Sequence, residues 1–335
     1  LQLIIAPEAS ERFRMRSRLL SGIRRFMEES GFMEVETPII DTIATGALAK
    51  PFHTRHNALD LDCQLRIAPE IALKKLVIGG FEKVYEIGKQ FRNEGTSAEH
   101  MQEFTSMEFY WAYMNYERLM EFTEEWFRKV VARTIGRPAF EYDGKHIDLQ
   151  GPWPRKTFAE LIRELGGIDI NAYPEQEALE EACKQKTDID VSGKSARGGT
   201  IDLIYKRLVR PKLVQPTFIL GHTADDSPLA RRNDKNPDLV DRFQVVMGGT
   251  EVVNAYSELV DPLDQRIRFE EQARAKAAGD EEAHVIDHEY LRAMEHGMPP
   301  IAGWGVGIDR LMMMMSDKKN IRDVVLFPMM RPREL

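Results

Sequence analysis

The first clear pattern along the chain is an amphipathic helix between Glu8 and Ser30. Apolar residues such as Leu19, Ile23 and Phe26 recur three or four positions apart among arginines and glutamates, which is helical spacing. The glycine after this stretch supplies its end. Residues 32–40, "FMEVETPII", then alternate as in a strand up to a proline, so we expect an edge strand or a break there.

Two pairs of alternating segments predict two β-hairpins. Residues 82–91 and 103–113 flank a polar loop, and residues 241–259 alternate on both sides of a Gly-Gly pair. The same patterns predict further elements: a strand and helix in 63–80, helices in 117–135, 158–164 and 261–282, a strand in 215–219, and a strand followed by a helix in 303–315.

Strands paired through hairpins, with helices gathered around them, predict an α+β fold with a mainly antiparallel sheet flanked by helices. We expect one domain over residues 1–335. The polar helices and the loop of about residues 152–211 suggest a helical insertion on this domain.

Composition narrows the class of protein. The chain has 335 residues, of which 43% are hydrophobic and 30% charged, as in globular proteins with a sizeable core. Cys63 and Cys183 are too few and too far apart for a disulfide framework or a four-thiolate zinc site, which favours a reducing compartment. The sequence shows neither a membrane-spanning run nor a signal pattern, so we expect a cytoplasmic protein.

The net charge of -8 argues against a protein that coats nucleic acid without specificity, but it leaves a local RNA-binding face open. The chain begins at Leu1 rather than at methionine. We therefore expect a fragment or processed chain that lacks an N-terminal part.

The strand after the polar loop carries the first candidate chemistry. Period-2 geometry places Phe104, Glu108 and Tyr110 on one face and Met107 and Phe109 on the other. An aromatic ring, a carboxylate and a phenol on one face suit a cleft that binds a planar ring and a cation. A solvated face is an equally good interpretation of this strand alone.

The second hairpin repeats the theme. Asn254, Tyr256 and Glu258 share one face, so two strands each present a tyrosine with a carboxylate. Glu251 has the wrong parity for this face, and it reaches the cleft only if the strand bulges or begins late.

The last strand has glycine at every second position, at Gly303, Gly305 and Gly307. One face of the strand is therefore bare, and a flat ligand could lie on its backbone; close packing under another element is the alternative. Arg310 follows at the start of a helix, where a phosphate would meet both a guanidinium group and the helix N-terminus. With Arg92, this inferred pocket combines two arginines with several carboxylates, as a nucleotide and a cationic small molecule would need.

The segments "GFMEVETPII", "FRNEG" to "EFTSMEFYWAY", and "GWGVGIDRL" resemble, in this order, the three motifs of the class II aminoacyl-tRNA synthetase catalytic domain. The resemblance runs from about Arg12 to Pro332. The finer signatures "LRIAPE" and "NAYSEL" are similar to those of the lysyl-tRNA synthetase family. That family implies the class II catalytic fold, activation of L-lysine with ATP and Mg²⁺, transfer to the 3' end of tRNA(Lys), and a homodimer with Pro38 at its interface.

The resemblance also implies an amino-acid site and an ATP site. The amino-acid site holds the α-amino group with Gly46 and Glu70, the carboxylate with Arg92 and Asn254, and the ε-ammonium with Glu258 and Tyr110, while Tyr256 lies along the aliphatic stem and Glu108 completes the wall. The ATP site comprises Arg92, Glu94, His100, Phe104, Glu251, Gly305 and Arg310. In it Arg92 and Arg310 are the catalytic arginines, and Glu251 binds Mg²⁺.

Two departures from the family pattern leave alternatives open. Gln244 stands where many members have a second metal-binding glutamate, so the number of Mg²⁺ ions is open. The family's N-terminal anticodon-binding barrel is absent from this sequence, which keeps a second hypothesis: a paralogue that lysylates a protein acceptor, a translation elongation factor. A non-catalytic nucleotide-binding or RNA-binding paralogue is a weaker alternative.

Overall fold

The computed structural model describes residue 3 and residues 6–43, 45–190, 197–224, 227–279, 283 and 285–331. Residues 191–196 of the predicted insertion and residues 280–282 of a predicted helix lie outside the described residues.

The α-helices are α1 (Pro7–Glu29), α2 (Glu70–Ile78), α3 (Tyr116–Ile135), α4 (Phe158–Leu161), α5 (Gln176–Lys186), α6 (Arg197–Ile204), α7 (Pro262–Ala277), α8 (His288–Glu295) and α9 (Ile308–Met315). The strands are β1 (Met33–Glu34), β2 (Ile40–Asp41), β3 (His53–His56), β4 (Leu61–Leu65), β5 (Lys83–Phe91), β6 (Glu103–Ala112), β7 (Ala139–Tyr142), β8 (Lys145–Asp148), β9 (Arg155–Thr157), β10 (Thr217–Leu220), β11 (Arg242–Met247), β12 (Thr250–Ser257) and β13 (Ile301–Gly307).

The main sheet has eight strands within the described part of the chain, in the order β1-β5-β6-β13-β12-β11-β10-β9. All neighbours from β5 to β10 are antiparallel, and only the edge strands β1 and β9 pair in parallel. The predicted hairpins β5-β6 and β11-β12 and the predicted mainly antiparallel α+β fold are therefore confirmed.

The prediction of a strand over residues 32–40 is wrong in extent. Only the two-residue strands β1 and β2 form there. Between them the backbone N–H and the hydroxyl group of Thr37 both donate to Glu86, at 3.1 and 2.7 Å, so this backbone bonds to a side chain instead of a strand. Pro38 follows, and it has no N–H to donate.

The hairpin β7-β8 was not predicted. Its turn is Asp143-Gly144, with φ of 52° and 70°, and Asp-Gly is a common sequence for such turns. The dipeptide was therefore a usable signal. The short strand β3, which is exposed along its whole length, carries no comparable pattern.

The segment predicted as a helical insertion begins with a strand of the main sheet, because β9 pairs with β10. The helices that follow bury a second apolar cluster, with Leu161, Ile162, Leu179 and Ile204 among its members. Its assignment as an insertion stays a prediction.

The two faces of the main sheet have different roles. One face carries Met107, Phe109, Val253 and Trp304 into the largest apolar cluster, together with residues of α1, α3 and α9. On the other face α2 packs against Tyr110 of β6. No helix in the described ranges is long and apolar enough to cross a membrane.

Candidate active site

A cavity of about 370 Å³ lies on the second face of the sheet, over β6, β12 and β13. Most of the residues predicted for the site line it: Gly46, Glu70, Arg92, Glu94, His100, Phe104, Glu108, Tyr110, Glu251, Asn254, Tyr256, Gly305 and Arg310. Three predicted residues do not line it: Glu258, Gln244 and Pro38.

One end of the cavity carries a stacked arginine. The guanidinium carbon of Arg92 lies 5.1 Å from the ring centre of Phe104, and its Nε donates to the carbonyl of Ile67. Burial lowers the pKa of Arg92, but an arginine remains charged in proteins. This end therefore offers an aromatic face and a fixed positive charge.

Arg310 links three parts of the site. Its guanidinium donates to the carbonyl groups of Glu251, at 3.1 Å, and Glu99, and to Nε2 of His100, at 2.8 Å. Burial and the charge of Arg310 lower the pKa of His100. Since Nε2 accepts, the neutral imidazole carries its proton on Nδ1 and donates it to Ser97, 2.7 Å away.

Asp309, which sequence reasoning missed, anchors the start of the helix that carries Arg310. It is buried, forms an ion pair of 2.5 Å with Arg16 of α1, and accepts a 2.7 Å hydrogen bond from the backbone N–H of Thr105. These bonds fix α9 against β6. The apolar residues around it gave no signal that this acidic side chain points inward.

The other end of the cavity is acidic and aromatic. Glu70 begins α2, is 4% exposed and accepts a 2.7 Å hydrogen bond from the hydroxyl group of Tyr256. Gly46 faces Glu70: its φ is 96°, and a Cβ there would stand 2.9 Å from that of Glu70. Both facts require glycine at this position.

Glu108 belongs to the acidic end, and the pKa of its carboxyl group is unusual. Its carboxylate accepts a hydrogen bond of 3.1 Å from Tyr110. Burial, followed by the negative charge of Glu70, raises the pKa of Glu108 to about 8. Below that pH the carboxyl group of Glu108 is mostly neutral until a ligand changes its surroundings.

A β-bulge brings Glu251 to the cavity. The sequence required such a bulge, because Glu251 is an odd number of residues from Asn254 and Tyr256 is on the same face as Asn254. Val245 pairs with Val253, whereas the next residue of β11, Val246, pairs with Glu251. Val252 is thus the extra residue of β12, and the bulge turns Glu251 to the face that Asn254 and Tyr256 share.

The alternate glycines of β13 serve two purposes. A Cβ at Gly303 would overlap the carboxylate of Glu258 and lie 2.5 Å from the ring of Tyr110, so this glycine is required by close packing. At Gly305 the nearest atom, Cγ of Glu108, would stand 3.4 Å away. The predicted bare backbone surface is therefore open at Gly305.

Sequence reasoning also missed Lys74. Its side chain is fully buried and forms ion pairs with Glu70, at 2.5 Å, and with Glu258. Lysine is rarely buried, which is why this residue was passed over. Two signals were available: Lys74 follows Glu70 by four positions, and it lies three positions from both Ile71 and Val77 on the buried stripe of α2.

Arg242 is a second missed residue of the cavity wall. Its Nε donates to the side-chain oxygen of Asn254, at 2.8 Å, and its guanidinium also donates to Ser227. Because that oxygen accepts from Arg242, the amide nitrogen of Asn254 is the group left to donate to a ligand.

The residues fit a metal bound with a nucleotide better than a metal bound alone. Among the described residues no group of three or more His, Cys, Asp or Glu side chains is placed to hold an ion. Glu251 lines the cavity, whereas Gln244, the position of the second family ligand, does not. Mg²⁺ is commonly held by one or two carboxylates together with substrate phosphates and water, and Glu251 can supply one such carboxylate.

Comparison with known proteins gives the family. The family described as "tRNA synthetases class II (D, K and N)" matches residues 1–331. The chain belongs to this family. Among its relatives, the "Lysine--tRNA ligase" of Pelotomaculum thermopropionicum is 46% identical over 99% of this chain, that of Moorella thermoacetica 47% over 100%, and that of Chromohalobacter salexigens 48% over 98%.

This class II synthetase chain spans about two thirds of the length of those relatives: the matches cover 66%, 68% and 66% of them, respectively. The three sequence segments interpreted as synthetase motifs lie on β1-β2, β5-β6 and β13-α9. The second and third of them form the floor of the cavity.

Proposed function

We propose that the protein activates L-lysine with ATP and transfers the lysyl group to the 3' end of tRNA(Lys), as a class II lysine--tRNA ligase of protein biosynthesis. The supporting observation is the division of one cavity into a cationic end, with Arg92 and Arg310, and an acidic end, with Glu70 and Glu108. The names of its relatives agree with this proposal.

The acidic end suits a substrate with two ammonium groups. Glu70 and Gly46 receive the α-ammonium, and Asn254 with Arg92 receives the carboxylate. The side-chain ammonium meets Glu108, Tyr110 and Glu258, and the ring of Tyr256 lies along the aliphatic stem. A neutral side chain would leave these carboxylates without a partner, which costs affinity.

ATP takes the other end, with its adenine between Phe104 and the backbone at Gly305, near Glu94. Arg92 holds the α-phosphate and Arg310 holds the outer phosphates, near His100, whose Nε2 accepts a hydrogen bond from Arg310. Each guanidinium is fixed by bonds to backbone carbonyls before substrate binds, so little reorganisation accompanies the reaction.

Activation is an in-line displacement. A carboxylate oxygen of lysine attacks the α-phosphorus, the bond to the bridging oxygen breaks, and pyrophosphate leaves with the electron pair. Arg92 and Arg310 neutralise the developing charge. In the second step a terminal hydroxyl group of the tRNA attacks the lysyl carbonyl and AMP departs. No side chain acts as a nucleophile in either step.

Mg²⁺ is the proposed cofactor, held by Glu251 and phosphate oxygens; when bound, it neutralises phosphate charge. We propose a cytoplasmic homodimer. In support of the dimer, Ile39 and Ile40 beside Pro38 are 42% and 53% exposed, and Leu48 and Leu61 are 41% and 40% exposed. Exposed apolar groups of this kind are typical of interfaces.

The acceptor is tested by incubating the protein with labelled lysine, Mg-ATP, total tRNA and cell protein, with and without RNase. We expect acid-precipitable label that RNase removes. Label that resists RNase would assign the acceptor to a protein and contradict the proposed transfer step. An Arg310→Ala variant, which lacks a proposed phosphate-binding group, gives the background level of acid-precipitable label.

A further inference from the structure

The buried side chain of Lys74 lies in a cage of carboxylates and aromatic rings. Its Nζ contacts Glu70 and Glu258 and stands 5.6, 5.7 and 5.9 Å from the ring centres of Tyr256, Tyr110 and Tyr290. Burial alone would lower the pKa of Lys74, but the two carboxylates outweigh it and raise that pKa. The cage therefore holds a permanent internal ammonium group.

The cage shares its wall with the cavity. Glu70, Tyr110 and Tyr256 line the cavity and contact Lys74, whereas Lys74 and Glu258 lie behind them. Gly303 belongs to the cavity floor, and a Cβ there would overlap Oε1 of Glu258. The carboxylate of Glu258 thus lies over the bare backbone of Gly303, at the edge of the cavity floor.

Glu258 has unused hydrogen-bonding capacity. It is 1% exposed, and neither of its carboxylate oxygens accepts a hydrogen bond of normal geometry from a described residue, although Oε2 is ion-paired with Lys74. An unsatisfied buried carboxylate is costly. Its Oε1, next to the cavity floor, is placed to accept from an ammonium group of a ligand.

The charges around the cage match a diamino acid. Glu70, Glu108 and Glu258 carry three carboxylates when all are ionised, and Lys74 supplies one positive charge. Two negative charges remain, one for each ammonium group of the substrate. Without Lys74 the three carboxylates would repel one another and take up protons instead.

We propose that Lys74 is a specificity-determining residue of the amino-acid site: it bridges Glu70 and Glu258 from behind, holds both carboxylates aimed at the two ammonium groups of a diamino-acid substrate, and favours the charged form of Glu258. This inference rests on the proposed function. Burial raises the pKa of Glu258, and Lys74 is the strongest influence in the opposite direction. Loss of Lys74 therefore leaves a neutral carboxyl group, which no longer favours a cationic side chain.

The test compares Lys74→Met with Lys75→Met. Lys75 is the next residue of α2, but it is partly exposed and pairs with Glu289 on the surface. Amino-acid-dependent ATP–pyrophosphate exchange gives KM for lysine, for its neutral analogue norleucine and for ATP. The melting-temperature shift caused by lysine gives a readout without catalysis.

We expect Lys74→Met to raise the lysine KM about 100-fold, which corresponds to the loss of a charged hydrogen-bonding partner. The ATP KM should stay within about twofold of the wild-type value. The preference for lysine over norleucine should fall by a similar factor, and Lys74→Arg should restore part of it. Lys75→Met should match wild type. An unchanged preference in Lys74→Met would overturn the inference.

A second variant keeps the test decisive if Lys74→Met does not fold. Lys74→Met combined with Glu258→Gln removes both charges of the buried pair, and such replacements are commonly tolerated. It should fold, and lysine should raise its melting temperature no more than norleucine does. If this variant prefers lysine as strongly as the wild-type protein does, the role of Lys74 is refuted. If the wild-type protein itself shows no lysine-dependent exchange, the proposed function is refuted.

Discussion

Binding of lysine should release a proton from Glu108. Before lysine binds, burial and the charge of Glu70 raise the pKa of Glu108 to about 8. At pH 7 about nine tenths of these carboxyl groups therefore carry a proton. An ammonium group placed beside Glu108 favours the ionised form and lowers its pKa, so binding at pH 7 should release about 0.9 proton per site.

The sign of the pH dependence follows. The carboxyl group must lose its proton to pair with the ammonium group, so affinity for lysine should rise with pH, by up to about tenfold per unit below pH 8, and level off above it. His100 adds little to this effect, because burial and the charge of Arg310 lower its pKa and so disfavour its protonated form.

Titration calorimetry at pH 7 in two buffers of different ionisation enthalpy measures the released protons directly. Glu108→Gln keeps the shape of the side chain but has no proton to lose, so its release should fall close to zero and its affinity should be flat with pH. Wild-type release below about 0.2 proton, or equal release in Glu108→Gln, would refute the account of Glu108.

Three further predictions concern packing, a buried ion pair and the metal. Gly303→Ala should abolish lysine-dependent exchange, because its methyl group overlaps the acidic end of the site. Gly305→Ala has 3.4 Å of clearance, so it should change the free energy of unfolding by less than about 0.5 kcal/mol and raise only the ATP KM. Arg66→Met should lower the free energy of unfolding in urea by about 3–5 kcal/mol, because Glu86 loses its buried ion-pair partner at 2.5 Å. Arg55→Met, on the exposed strand β3, is the control and should have a much smaller effect. Chelation of Mg²⁺ should stop pyrophosphate exchange, and Glu251→Gln should shift the Mg²⁺ midpoint upward by about tenfold; an unchanged midpoint would exclude Glu251 as a metal ligand.

The sequence predicted the strands well where one face is apolar. Met107 and Phe109 alternate with Glu108 and Tyr110, and because side chains alternate across a strand, the core face determines the cavity face. The bulge at Glu251 could be inferred for the same reason. The extent of β1 could not be predicted, because the alternation in residues 32–40 does not reveal that Glu86 binds the backbone at Thr37.

The partners of buried charges could not be predicted from the pattern alone. Lys74 and Asp309 each meet a partner from a distant segment, Glu258 and Arg16 respectively, whereas Arg242 meets Asn254 across the hairpin β11-β12. Local spacing identifies a face but not the residue that will lie opposite. The sequence therefore indicated the composition of the site and missed the ion pairs that hold it in place.

Amino-acid-dependent ATP–pyrophosphate exchange is the most direct test of the central claim, that this cavity joins ATP to lysine. The family to which the chain belongs covers three amino acids, denoted D, K and N, so aspartate and asparagine are the matched competitors. We expect exchange with lysine at least 100-fold above that with either competitor, since a buried polar site strongly rejects ligands that leave it unpaired. Exchange that prefers aspartate or asparagine, or that is absent with lysine, would contradict the account.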